Sequence, residues 1–123
     1  MQHAPQFLKL VNDSLTRVRE ITVQEVRKKQ EARENFVFVD VHEDNEWTQG
    51  RAAGARHMGR GVIERDVEKA IPDPNATVVL YCGGGFRSAL AADNLQKMGY
   101  RNVLSMAGGM RAWREAGLPE EKS

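Results

Sequence analysis

Short strand patterns alternate with amphipathic helix patterns along most of this chain, and this alternation limits the fold more than any other feature. The two strongest strand patterns, Phe36 to Val41 and Thr77 to Cys82, are rich in β-branched and aromatic residues. Weaker strand patterns lie at Arg19 to Thr22, Ala55 to Met58 and Asn102 to Met106. Strands that alternate with helices pair in parallel through right-handed crossovers. The sequence therefore predicts an open α/β domain, a mostly parallel five-stranded sheet with helices on both faces.

Helix patterns fill the intervals between the strands. Thr22 and Glu25 form a capping box, which predicts a helix through about Ala32. Three further helices are indicated by apolar residues at helical spacing: Ile63, Val67 and Ile71; Ala91, Leu95 and Met98; Met110 and Trp113. Before the first strand, an amphipathic helix packed on the side of the domain is indicated by Phe7, Val11, Leu15 and Val18. We therefore expect an N-terminal helical extension at residues 1–18 and the α/β domain at residues 19–123.

Charge and cysteine content exclude several classes of function. The chain has 18 Lys and Arg against 17 Asp and Glu, and this net charge of +1 gives no global reason to expect a nucleic-acid partner. Its apolar runs are too short to span a membrane, and no secretion signal pattern is present. Cys82 is the only cysteine, which excludes an intramolecular disulfide and a multi-cysteine zinc site. We expect a cytoplasmic protein, because a free thiol is stable in a reducing compartment.

The segment that begins at Cys82 is the strongest candidate for chemistry. Cys82 ends a buried strand at the sheet edge where ligands of open α/β proteins bind. The residues that follow it, and that we expect to bind substrate, are Gly83, Gly84, Gly85, Phe86, Arg87 and Ser88. Consecutive glycines predict a tight curve whose N–H groups converge on an anion, and the following helix N-terminus and Arg87 add positive potential. Such surroundings stabilise a thiolate and make Cys82 a candidate nucleophile.

Other interpretations of these residues are weaker. An inert buried cysteine does not require three glycines and an arginine after it. Gly83, Gly85 and Ser88 nearly match a dinucleotide-binding fingerprint, but the third glycine and the later acidic residue are missing. Asp40 ends the other strong strand at the same sheet edge. We expect its carboxylate to accept backbone N–H groups and fix the adjacent loop, since a negative charge beside the thiolate would oppose ionisation.

Four separated motifs resemble those of the rhodanese family of sulfurtransferases. They are Val39-Asp40-Val41-His42-Glu43 with Glu46-Trp47; Gly50 with Gly54-Ala55; Tyr81 to Ser88; and Ala107-Gly108-Gly109 with Trp113 and Gly117-Leu118-Pro119. They occur in the family's order and cover nearly all of the chain from Glu20 to Pro119. The resemblance implies a five-stranded parallel sheet and a persulfide on Cys82 that the loop amides hold. Two positions depart from the family's pattern: His42 stands where the family usually has arginine, and Arg51 where it usually has histidine.

The resulting hypothesis is a single-domain sulfurtransferase of the thiosulfate sulfurtransferase type. Cys82 would take the outer sulfur of thiosulfate or another persulfide donor and pass it to a thiophilic acceptor. No metal or organic cofactor is expected, and the expected partners are a small anionic sulfur donor and a protein that donates or accepts sulfur. A phosphatase or arsenate reductase on the same scaffold is an alternative, which four rather than five residues between Cys82 and Arg87 disfavour. A non-enzymatic persulfide shuttle or protein-binding module is the other alternative.

Overall fold

The computed structural model describes residues 3–122 and has a central sheet of five strands. In chain order the elements are α1 (Pro5–Leu15), β1 (Arg19–Ile21), α2 (Val23–Glu31), β2 (Val37–Asp40), α3 (Asp44–Trp47), β3 (Arg51–Ala52), β4 (Arg56–His57), α4 (Ile63–Ala70), β5 (Thr77–Tyr81), α5 (Phe86–Lys97), β6 (Asn102–Met106), α6 (Gly109–Glu115) and β7 (Glu120–Glu121). The strand order is β1-β6-β5-β2-β4, and every neighbouring pair is parallel. The α/β prediction is confirmed. The sequence patterns missed β3 and β7, which pair antiparallel beside this sheet.

Two apolar clusters cover the opposite faces of the sheet. One joins the central strands to α4 and α5 through Ile63, Val67, Ile71, Ala91 and Leu95. The other joins them to α2 and α6 through Val23, Val26, Met110 and Trp113. The strands between them carry few polar residues because both of their faces are buried. Helices therefore lie on both faces, as the sequence predicts.

The ends of two helices show where local sequence signals succeed and fail. The capping box is formed as predicted, with the Glu25 amide donating to Thr22 Oγ1 at 3.1 Å and the Thr22 amide donating to Glu25 Oε1 at 3.0 Å. The expectation that Met98 continues the apolar stripe of α5 is wrong, because its side chain is 38% exposed. Met98 caps the end of α5, and Tyr100, just past the turn, enters the core instead.

The N-terminal helix α1 packs along α5. Val11 is fully buried against the domain. Arg17, just after α1, donates from Nε and Nη2 to the two carboxylate oxygens of Asp93 on α5, at 2.9 and 2.8 Å. These contacts fix α1 beside the helix that begins in the loop after Cys82. Within residues 3–122, none of the helices is both long enough and apolar enough to cross a membrane.

Candidate functional site

Cys82 and Asp40 lie at the same edge of the sheet. The parallel register of β2 and β5 pairs Asp40 with Tyr81, so the loops that follow the two strands leave the sheet side by side. Cys82 is 1% exposed and is one of the residues that line a cavity of about 670 Å³. The sequence placed both residues at this edge, because each follows a strongly apolar strand.

Backbone amides surround the sulfur atom of Cys82. In the Cys82 loop, residues 82–88, the Gly85 amide donates to Cys82 Sγ at 3.2 Å and the Ser88 amide at 3.4 Å. The thiol lies 3.7 Å from Ser88 Oγ, which forms a 2.8 Å hydrogen bond with Ser105 Oγ. Four more amides in this loop donate to no protein acceptor within residues 3–122: those of Gly83, Gly84, Phe86 and Arg87. A loop with several unused N–H donors at a helix N-terminus is suited to hold an anion.

Helix α6 donates hydrogen bonds to two carbonyl groups of the Cys82 loop. The Met110 amide donates to the Cys82 carbonyl at 2.8 Å, and the Arg111 amide donates to the Gly83 carbonyl at 3.1 Å. The chain at Gly109 has φ +53°, and a Cβ there would collide with the Cys82 carbonyl oxygen and lie 2.8 Å from the Gly83 carbonyl carbon. In a trans peptide the N–H points opposite to the C=O. Because α6 binds the carbonyls of Cys82 and Gly83, the amides of Gly83 and Gly84 point away from α6.

Arg87 forms a bidentate ion pair with Glu46. Its two terminal nitrogens donate to the carboxylate oxygens of Glu46 at 2.7 and 3.0 Å. This pairing lowers the pKa of Glu46 to about 2. Both side chains line the cavity at Cys82, so the positive charge that the sequence predicts there is largely balanced by a carboxylate. The role of Arg87 toward an anionic substrate stays a prediction.

Asp40 is fully buried beside His42 and Tyr81. Its Oδ1 accepts the His42 backbone N–H at 2.7 Å, while His42 Nδ1 lies 2.9 Å from the same oxygen. Asp40 Oδ2 and His42 Nδ1 have no hydrogen-bond partner within residues 3–122. Burial and the nearby Asp40 carboxylate raise the pKa of Tyr81 above its ordinary range. The contact from Asp40 to the loop after β2 supports the positioning role expected for this carboxylate, which stays a prediction.

The two residues that depart from the family pattern, His42 and Arg51, have different neighbours. His42 Nε2 lies next to the Cys82 loop, 3.5 Å from the position of a Cβ at Gly83. The His42 carbonyl is 2.7 Å from Nε2 of His57, whose ring stacks on Trp47 at a centroid distance of 4.8 Å. The guanidinium carbon of Arg51 lies 4.4 Å from the centroid of the Trp47 ring. The Arg51 side chain therefore packs on Trp47 of α3, whereas the His42 side chain lies next to the Cys82 loop. Within residues 3–122, no three His, Cys, Asp or Glu side chains form a group that could hold a metal ion.

Several cavity residues were not predicted from the sequence. His3 and Phe7 reach the cavity from the N-terminal segment, and Arg111 reaches it from α6. His3 lies four residues before Phe7 and ahead of the start of α1, and the amphipathic pattern of α1 does not show which helix it packs against. Arg111 directly follows the glycine motif before α6, and its place at the site depends on how α6 docks.

Comparisons with known proteins point to one family. The model of the rhodanese-like domain matches residues 22–116. The thiosulfate sulfurtransferase GlpE of Actinobacillus succinogenes is 34% identical over 88 residues, which cover 72% of this chain and 78% of that protein. The putative sulfur carrier protein YrkF of Bacillus subtilis is 26% identical over 102 residues, which cover 83% of this chain. The chain spans 54% of the length of YrkF.

The fold is also similar to that of a solved sulfur-transfer protein. The solution structure of a polysulfide-sulfur transferase homodimer from Wolinella succinogenes superposes with a TM-score of 0.81 at 26% identity. The match covers 96% of this chain and 88% of that chain. It therefore extends beyond residues 22–116 and includes most of the N-terminal segment.

Proposed function

We propose, on the premise that this chain belongs to the rhodanese-like domain family, that it transfers sulfane sulfur through a persulfide on Cys82. The donor is thiosulfate or another compound with a sulfur–sulfur bond, and the acceptor is a thiophilic small molecule or protein. Similarity to GlpE supports thiosulfate as the donor, and similarity to the putative sulfur carrier protein YrkF supports a protein as the acceptor. Neither a metal nor an organic cofactor is part of the proposed reaction.

The arrangement of amides around Cys82 Sγ carries this proposal. Two amides, from Gly85 and Ser88, already donate to the sulfur at 3.2 and 3.4 Å. These donors stabilise the negative charge of a thiolate more than the neutral thiol, because hydrogen bonds to charged acceptors are stronger. The unused amides of the same loop are then available to the terminal sulfur of a persulfide, which is also negatively charged.

The reaction consists of two displacements. In the first, the Cys82 thiolate attacks the outer sulfur of thiosulfate, a new S–S bond forms, and sulfite leaves with the electron pair of the broken bond. In the second, an acceptor thiolate or other nucleophile attacks the outer sulfur of the persulfide and regenerates the Cys82 thiolate. A covalent intermediate between two half-reactions gives ping-pong kinetics. Helix α6 and the amides keep the loop in one arrangement through both steps.

Intact-protein mass spectrometry after thiosulfate treatment tests the proposal. We expect the mass of one sulfur atom to be added and then removed by dithiothreitol. The variant Cys82→Ser is the matched control, because serine fits the site but cannot form a persulfide, and it should gain no sulfur and transfer none. Sulfur transfer by Cys82→Ser, or no adduct on the wild type under conditions where GlpE is labelled, would overturn the mechanism. Hydrolysis of an aryl phosphate, followed in parallel, should be negligible.

The surroundings of this reaction follow from the same chemistry. The single cysteine has no partner for an intramolecular disulfide, so we infer that the protein works in a reducing compartment such as the cytoplasm. Residues 19–123 would form the sulfur-transfer domain and residues 1–18 an N-terminal extension, of which α1 packs along α5.

A further inference from the structure

Three aromatic side chains form one side of the Cys82 cavity. This aromatic wall consists of His3, Phe7 and Phe86. The ring of His3 lies 4.4 Å from that of Phe86 and 5.3 Å from that of Phe7, measured between centroids, and Phe7 and Phe86 are 6.2 Å apart. These distances are typical of favourable aromatic contacts. Two of the three rings come from the N-terminal segment, outside the residues that match the rhodanese-like domain.

The aromatic wall is attached firmly to the domain. Phe86 is the first residue of α5, and α1, which carries Phe7, packs along that same helix. The bidentate contact between Arg17 and Asp93 fixes the far end of α1, and Asp93 is 6% exposed. Contacts away from the cavity therefore offset the conformational entropy that is lost when Phe7 is held beside the cavity.

The lining of the cavity also carries about one positive charge that is not balanced. The charge of Arg87 is offset by Glu46 in the bidentate pair. The Arg111 guanidinium also lines the cavity, and within residues 3–122 it has no hydrogen-bond or ion-pair partner. A cavity lined by three aromatic rings and a single free cation suits a ligand with one negative charge and an apolar group better than the dianion thiosulfate.

The size of the cavity leads to the same ligand class. Its volume of about 670 Å³ lies in the range of sites that enclose an organic molecule. Thiosulfate is one small tetrahedral ion and would occupy only a part of this volume. An aryl group attached to the transferred sulfur would fill the space between the amides and the wall.

We propose that the aromatic wall binds the apolar substituent of the sulfur donor, so that the protein favours aryl-bearing monoanions such as arenethiosulfonates over thiosulfate. This inference rests on the proposed sulfur transfer by Cys82. The Cys82 thiolate attacks the terminal sulfur of the thiosulfonate, an S–S bond forms to Cys82, and the bond to the sulfonyl sulfur breaks. An arenesulfinate leaves with the electron pair, and charge is balanced because each side carries two negative charges.

The test compares donors and variants. Values of kcat/KM are measured for thiosulfate, methanethiosulfonate and benzenethiosulfonate with wild type, Phe7→Ala and Leu10→Ala. Leu10 is a matched control, because it lies on α1 but is 56% exposed and lines no part of this cavity. Phe7→Ala should lower kcat/KM for benzenethiosulfonate about tenfold while changing the other two donors less than twofold. Leu10→Ala should change none of them.

A second measurement does not depend on the folding of any variant. In the wild type, benzenesulfinate should inhibit turnover of thiosulfate at a concentration about tenfold lower than methanesulfinate. Equal inhibition by the two sulfinates, or equal losses for all donors in Phe7→Ala, would overturn the inference while leaving sulfur transfer intact. Failure of the wild type to transfer sulfur from any of the three donors would instead refute the proposed function, and the inference with it.

Discussion

Replacing Gly109 by alanine tests whether α6 holds the Cys82 loop by close backbone contact. Gly109 has φ +53°, and an added Cβ would lie 2.8 Å from both the carbonyl carbon and the carbonyl oxygen of Gly83. These atoms belong to the backbone and cannot rotate away, so α6 or the loop must move. The movement would break the bonds from Met110 and Arg111 to the loop, which are 2.8 and 3.1 Å long.

The expected loss of stability has two parts. Alanine in the left-handed region costs about 1 kcal/mol, and forcing a methyl group into packed backbone costs about 2 kcal/mol more. Gly117→Ala separates the two, because Gly117 has φ +68° and no atom within 4 Å of an added Cβ. We therefore expect the free energy of unfolding to fall by about 1 kcal/mol for Gly117→Ala and about 3 kcal/mol for Gly109→Ala.

Thermal unfolding and sulfur transfer are the two assays. For a chain of this length the melting temperature should fall by about 4 °C for Gly117→Ala and about 12 °C for Gly109→Ala. Below its melting temperature, Gly109→Ala should also lose most sulfur transfer, because the loop amides are displaced, whereas Gly117→Ala should keep it. Equal stability of the two variants, with activity retained in both, would refute the idea that this contact orders the loop.

Two more predictions concern the charged and buried polar groups around the loop. Glu46→Gln should lower the free energy of unfolding by about 1 kcal/mol, because both partners of its ion pair are about one-third exposed and water weakens their attraction. Since Arg87 lowers the pKa of Glu46 from 4.5 to about 2, this stabilisation is complete above pH 4.5 and disappears as the pH falls to about 2, so urea titrations of wild type and variant should converge there. Tyr81→Phe should cost about 1–3 kcal/mol in urea titration, because the buried Ala52 amide, which donates to the Tyr81 hydroxyl at 3.0 Å, loses its acceptor. An unchanged unfolding midpoint for Tyr81→Phe would mean that another acceptor, or water, replaces the hydroxyl.

The sequence predicted the sheet and the Cys82 loop because both depend on local patterns. Strands buried on both faces must be apolar at successive positions, as Val78 to Tyr81 are. Within this turn Gly85 needs a residue without a Cβ, because its φ is +96° and a Cβ would lie 3.3 Å from the Gly108 amide nitrogen, whereas Gly83 and Gly84 do not have a positive φ. These signals require no knowledge of how distant segments meet.

The features that the sequence did not predict depend on tertiary contacts. The partner of Arg87 is Glu46, 41 residues away, and several acidic residues would have satisfied the same pattern. Strands β3 and β7 have two residues each, too few for an alternation to be recognised. Helix α1 packs along α5, with Arg17 bound to Asp93, and no periodicity reveals which helix it covers.

The docking of α6 on the Cys82 loop also has a consequence for how such proteins diverge and are redesigned. The carbonyls of Cys82 and Gly83 are bound by the first amides of α6, and the approach leaves no room for a side chain at Gly109. The loop and the first turn of α6 therefore form one unit that must be exchanged together. A loop of another length, grafted without the matching helix start, would lose its anchor, and in related sequences substitutions in these two segments should covary.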